Sequence, residues 1–188
     1  MKSDTRHTII DTAAELFYRN GYNLTGGNEI IKESGSAEAT LYSHFPSKEE
    51  LFVAYLDKKD EALLVNFRAF TNNRPKGDDR IRAVLEFLIP FFQQEDFNGC
   101  WCIRTVAEVP RENEKIRGKI RANKNKFREL LRAIVRENKP ELEPAPQEVL
   151  TNQLYLLYEG ALSESHLQAA AWPIETAISL LDDILSRQ

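Results

Sequence analysis

Apolar residues recur along this chain at spacings of three and four, and period-two alternation is absent, so the pattern predicts helices and no strands. Over residues 5–20, Ile9, Ile10, Ala13, Leu16 and Phe17 share one face. Asp4 or Thr5 can cap that helix and Gly21 can stop it. Two short helices are predicted over 28–34, broken by Gly35, and over 37–44, ending before Pro46. Ser47 and Glu50 form a capping box for a fourth helix, from Lys48 into the sixties. No linker separates it from the first three.

Beyond residue 77 the same period continues. A helix over 78–94 carries Pro90 inside it and should kink or break there. Further helices are predicted over 100–109, 112–138, 147–170 and 173–186, with a proline-containing loop at 138–146. In the long 112–138 helix, Ile116, Ile120, Phe127, Leu131 and Ile134 face inward, and Arg117, Arg121, Lys124, Arg128, Arg132 and Arg136 form an outward stripe. In the last two helices, Leu150, Leu154, Leu157 and Ala161 form one apolar stripe, and Tyr155, Tyr158 and Leu162 another. Ile174, Ala177, Ile178, Leu181 and Leu185 line the final helix. A helix with two apolar faces must bury both, so residues of about 147–187 are expected to pair with a second copy across a two-fold axis. The expected class is all-α, with no internal repeat.

Composition changes this picture little. The chain has 188 residues, 42% hydrophobic and 29% charged, which is a globular balance. No apolar stretch at the start resembles a signal peptide, and the most apolar window, residues 83–92, is too short to span a bilayer. Two cysteines, Cys100 and Cys102, make no disulfide framework, so a cytoplasmic location is expected. Charge matters more. The net is −4, yet it is uneven: −3 over residues 1–50, +7 over 111–139 and −7 over 140–188. A binder of DNA needs cations for phosphate, so the acidic first fifty residues must lean on few. The Arg117–Arg136 stripe is either a nucleic-acid footprint or a solvated helix face.

The segment TGGNEIIKESGSAEATLYSHFPSKEEL, residues 25–51, carries the chemistry. Gly35 sits in a short turn between two helices, as a helix-turn-helix requires. Ser36, Ala37, Glu38, Ala39, Thr40 and Ser43 are mostly small or hydroxyl-bearing, which lets a helix enter the major groove closely. Tyr42, His44 and Lys48 fall where phosphates would lie, and Lys48 heads a helix whose N-terminus attracts anions.

TLYSHFPSKEEL, with AAELFYRNGYNLT before it, resembles the signature of the tetracycline-repressor (TetR) family of bacterial regulators. NGCWC followed by AE, and LYEGAL later on, are softer echoes. The resemblance implies a nine-helix fold, with residues 1–47 as a DNA-binding domain and 48–188 as an effector-binding and dimerisation domain. It implies that Thr25 contacts phosphate, that Ser36 to Ser43 form the recognition helix, and that Tyr42, His44 and Lys48 clamp the DNA backbone. The chain departs from the family pattern at four places: Gly26-Gly27, Ile31, Ser36 and Glu38. The first three bear on how the two helices cross, and Glu38 bears on base preference.

A regulator of this kind would bind a double-stranded operator as a homodimer and be released by a small-molecule effector. Phe91, Phe92, Trp101, Tyr155 and Tyr158 are the candidate pocket walls, and Glu159 and His166 the candidate polar groups. Each also reads as core packing or a hydrogen-bonded pair. Cys100 and Cys102 read as packing, with a redox role open. His7, His44 and His166 are scattered and predict no metal site, no cofactor is expected, and no catalytic constellation is found. The other reading is a helical interaction module whose DNA-binding part has decayed.

Overall fold

The computed structural model describes residues 2–187, and side chains from Thr5 onward. Its helices are α1 (Lys2–Leu24), α2 (Gly27–Ser34), α3 (Glu38–His44), α4 (Lys48–Asn72), α5 (Asp78–Glu86), α6 (Leu88–Phe92), α7 (Trp101–Glu108), α8 (Glu114–Asn138), α9 (Pro144–Gln168) and α10 (Trp172–Leu185), with no strand among the described residues. Only Phe87 separates α5 from α6. Pro90 has no N–H to donate to the carbonyl of Glu86, so the i to i+4 ladder cannot run through this point and the helix breaks beside it. Taken as one interrupted helix, the pair leaves the nine that were expected.

Three differences from the sequence pattern have a clear physical reason. α1 starts at Lys2, so Thr5 lies inside it and does not cap it; Asp4, the other proposed cap, has its side chain outside the described residues. Gly21 interrupts α1 with φ 85° and ψ 178°, a conformation that a β-carbon would oppose. The proline loop is shorter than expected, because Pro144 and Pro146 belong to the first turn of α9, where missing N–H groups cost nothing.

The chain forms two compact units. The first joins the residues up to Ala62 with Trp101–Asn123; the second joins Leu63–Cys100 with the residues from Lys124 on. In the first, Ile9, Ala13 and Phe17 of α1 are buried with Ile30, Leu41, Phe52, Tyr55, Leu56 and Ile116. Phe17 meets Phe52 edge-on at 4.8 Å between ring centres, and Tyr22 meets Phe52 at 4.7 Å. In the second, Phe67 lies 5.1 Å from Phe87, 5.0 Å from Phe127 and 6.1 Å from Tyr158. Aliphatic side chains, including Ile81, Leu85, Leu131, Leu150, Leu154 and Leu181, bury themselves in the same unit.

Candidate nucleic-acid interface

α2 and α3 meet at Gly35, whose φ of 64° ends α2 in the left-handed region. The hydroxyls of Ser34 and Ser36 lie 2.9 Å apart across the turn, so serine at position 36 knits the corner with a hydrogen bond. α3 rests on Leu41, its buried residue, with Phe45 buried just beyond its end. Glu38, Ala39, Tyr42 and Ser43 are exposed, and their spacing of one and four puts them on one outward face. Ser43 Oγ donates to the Thr40 carbonyl at 2.8 Å and keeps its lone pairs free to accept. Ser36, Thr40 and His44 are half-buried at the edge of this face, and Ala37 is exposed.

Gly27 accounts for one departure from the family pattern. A β-carbon there would lie 3.2 Å from the Tyr42 hydroxyl, tighter than ordinary contact. The glycine leaves room for Tyr42 to lie over the start of α2. Lys48 is half-buried, with Nζ 4.5 Å from the centre of the Tyr22 ring. Partial burial lowers its pKa, while the charge of Glu108 acts to raise it. Tyr22 shifts up through burial and then through Glu49.

Thr25 does not set its hydroxyl for the phosphate contact that the resemblance implies. Its side chain is fully buried, and Oγ1 donates to the carbonyls of Gly21 at 2.8 Å and Leu16 at 3.2 Å. A hydroxyl spent on two carbonyls inside the corner is not presented to a phosphate. Thr25 instead closes the chain reversal that Gly21 opens. Arg6, which the sequence reading passed over, stacks 5.0 Å over Phe45 and supplies a cation beside the end of α3. Its one available signal was a basic residue in the first turns of α1.

The corner is also held from far along the chain. Glu108, the last residue of α7, accepts the Asn23 backbone N–H at 3.0 Å, and Asn23 Nδ2 donates to the Glu108 carbonyl at 3.1 Å. Arg104 donates to the Tyr18 carbonyl at 2.8 Å. A side chain on Gly21 would collide with the Glu108 carboxylate. Nothing in the periodicity signals these pairings, which join residues about 85 positions apart.

The outward cation stripe of α8 needs correction. Arg117 donates to the carbonyls of Val106, Val109 and Pro110, capping α7; Arg121 pairs with Glu114, Arg128 with Glu148, and Arg132 with Glu129 and Glu148. Lys124 is not on an outward face: Nζ lies 2.6 and 2.7 Å from the two Glu159 oxygens and 3.3 Å from Cys100 Sγ. A footprint for nucleic acid requires cations without such partners, so the solvated or paired face is what the structure supports.

The candidate pocket residues divide into groups. Phe91 and Phe92 both meet Phe97, at 5.4 and 5.3 Å, and Phe97 meets the His166 ring at 5.9 Å. Phe97 is thus the missed centre of this group. Tyr155 and Tyr158 gather on Phe127, and Glu159 joins Lys124 and Cys100. Burial first, and the negative charge of Glu159 second, push the Tyr158 phenol far up, so it stays neutral. Trp101 belongs to the first unit, beside Phe17, Tyr22, Phe52 and Tyr55, with its indole N–H buried and unpartnered among the described residues. No group of His, Cys, Asp and Glu among the described residues could hold a metal ion, and no helix there is long and apolar enough to cross a membrane.

Two family models match. One, described as bacterial regulatory proteins of the tetR family, covers residues 9–55; the other, a tetracyclin repressor-like C-terminal domain, covers residues 77–181, more than half the chain. The nucleoid occlusion factor SlmA of Vibrio atlanticus is 28% identical over 166 residues, 86% of this chain and 84% of that protein. The HTH-type transcriptional regulator LmrA of Bacillus subtilis is 33% identical over 116 residues, 61% of this chain and 62% of its own length. A TetR-family transcriptional regulator from Streptomyces coelicolor superposes with a TM-score of 0.86 at 25% identity, covering 98% of this chain and 96% of that one.

Proposed function

Because this chain belongs to the tetR family of bacterial regulatory proteins, a family of DNA-binding regulators that act as dimers, we propose that it is a repressor released from a pseudo-palindromic operator by a small-molecule effector. The observation that carries DNA reading is the exposed face of α3, whose Glu38 and Tyr42 have no hydrogen-bond or ion-pair partner among the described residues, with Lys48 and Arg6 nearby. Tyr42, His44, Lys48 and Arg6 serve phosphates, and Ser36 to Ser43 lie in the groove. The protein works in the cytoplasm, where its operator is.

The dimer forms through α9 and α10. Val149, Leu156 and Leu167 on α9, and Leu180 on α10, are large apolar side chains left exposed, with Leu156 69% and Leu167 72% accessible. Val149, Leu156, Gly160 and Leu167 recur at spacings of seven, four and seven, so they share one face. This is a different stripe from the two read in the sequence, whose Leu150, Leu154, Tyr158, Ala161 and Leu162 are buried within the chain. Two recognition helices held this way must lie about one DNA turn, roughly 34–36 Å, apart.

The effector is small and partly apolar, and binds in the second unit near Phe91, Phe92, Phe97 and His166, with the Lys124–Glu159 pair as its polar contact. Trp101 serves the first unit's packing and is not assigned to the wall.

Sedimentation and operator binding test the whole reading together. The parent protein should sediment as a dimer and shift a duplex taken from upstream of its own coding sequence. Leu156→Glu should sediment as a folded monomer with only non-specific affinity. A parent that is monomeric at micromolar concentration, or a Leu156→Glu variant that keeps full operator affinity, refutes it.

A further inference from the structure

α3 offers DNA an unusual set of groups. Its sequence, EATLYSH, contains no lysine or arginine, the residues that most often read guanine through its O6 and N7 acceptors. The exposed face carries a carboxylate (Glu38), a methyl (Ala39), a phenol (Tyr42) and a hydroxyl (Ser43). Of these, only Glu38 carries a fixed charge, and its carboxylate has no hydrogen-bond or ion-pair partner among the described residues. Its neighbours Ala37 and Ala39 are small, so nothing beside it keeps a base edge away.

A carboxylate at that place is a selective instrument. It accepts hydrogen bonds and cannot donate one. In the major groove guanine presents only acceptors, and thymine an acceptor and a methyl; both leave a carboxylate desolvated and unpaired. Cytosine presents the N4 amino group and no competing acceptor at that edge. Phosphates repel the same charge in every register where no amino group compensates it.

We infer that Glu38 is a specificity-determining residue that reads the N4 amino group of one cytosine in each operator half-site, and that its charge also suppresses binding to DNA lacking that cytosine. The inference rests on the reading of α3 as the recognition helix. Glu38 then acts by rejection as much as by attraction: guanine, thymine and bare backbone are all penalised by one group. A bland alternative is that Glu38 merely complements the helix dipole in the first turn of α3. That role concerns stability and is blind to which base lies opposite.

Selection from a pool of random-sequence duplexes with the full-length protein, followed by affinity measurement on single-base variants of the selected operator, separates the possibilities. The parent should enrich a symmetric operator with one cytosine per half-site whose replacement weakens binding roughly 5- to 150-fold. Glu38→Gln, which pairs well with adenine N6 and N7, should move the preference at that position from cytosine to adenine. Glu38→Ala should lose discrimination there, to within about twofold, keep it elsewhere, and bind random duplex more tightly than the parent. If both variants keep the parent's base ranking at every position, Glu38 is not a reader and the inference is overturned. If the parent enriches no sequence at all, the recognition-helix reading falls, and the inference with it. Circular dichroism and Tm identify a misfolded variant; should Glu38→Ala be one, the near-isosteric Glu38→Gln decides by itself.

Discussion

The outward face of α3 and the cation row of α8 make opposite use of charge. α3 has no lysine or arginine, and its exposed Glu38 and Tyr42 have no hydrogen-bond or ion-pair partner among the described residues. α8 is rich in both, yet Lys115 pairs with Glu50, Lys119 with Asp57, Arg121 with Glu114, Lys124 with Glu159, and Arg128 and Arg132 with Glu148. In that stripe Arg136 alone has no partner among the described residues. Charge counted along a sequence is therefore a poor guide to charge on offer. The cations of the segment with net +7 mostly pair with acids, each within the unit it belongs to, while the acidic first fifty residues hold the exposed face of α3.

The comparison can be broken most forcefully at Leu41. It is the buried residue of a helix only seven residues long. Leu41→Ala should cost about 2–5 kcal/mol of stability and abolish operator binding. Denaturant unfolding that moves by less than 1 kcal/mol, with operator binding intact, would show that α3 is held by something else.

Thr25 is the next lever. Thr25→Val keeps the shape and removes both hydroxyl bonds at the α1–α2 corner. The loss should be about 1–2 kcal/mol in unfolding free energy, with the salt slope of DNA binding unchanged. A lower slope would restore the phosphate role to Thr25.

Lys48 and the α8 arginines sharpen the contrast directly. Lys48→Ala should weaken binding to all duplexes alike and lower the slope of log K against log salt by about one. The double change Arg128→Ala and Arg132→Ala should leave that slope where it was. Equal losses from both would mean that paired cations still reach phosphate.

The smallest effect concerns acid stability. Glu148 is held at a pKa of about 2, below the usual 4.5, chiefly by its hydrogen bond to Arg132 and then by that to Arg128. A carboxyl whose folded pKa is depressed contributes stability that is fully present above about 4.5 and lost as pH falls towards 2. Glu148→Gln should flatten that part of the acid-unfolding profile, modestly, because the pair faces solvent and salt screens it. A profile identical to the parent's at low salt removes the pair from the account.

What could be read from the sequence follows from how local the cause is. Gly35, Ser47 and the Leu41 and Phe45 positions act within a few residues, so the helix-turn-helix was legible. The inward faces of α8 and α10 were legible too, because burial repeats with the helix. The fate of polar side chains was not. Whether Thr25 turns to a phosphate or to Leu16, and whether Lys124 meets water or Glu159, depends on neighbours brought together by folding. The apolar face of α9 was misassigned for a related reason. Apolar residues of that helix are spread around it with no dominant face, so periodicity could not say which stripe remains outside.

The first unit is discontinuous in the chain, and this has a consequence for its biogenesis. A ribosome releases α1, α2 and α3 long before Arg104, Glu108, Asn113 and Asn123 exist to bond Tyr18, Asn23, Glu49 and the Leu56 carbonyl. Segments usually fold as they emerge, N-terminal parts first. Here the bonds that brace the helix-turn-helix can all form only after about residue 123 has left the exit tunnel. The helix-turn-helix is thus fully braced only once the Leu63–Cys100 part of the second unit has been synthesised.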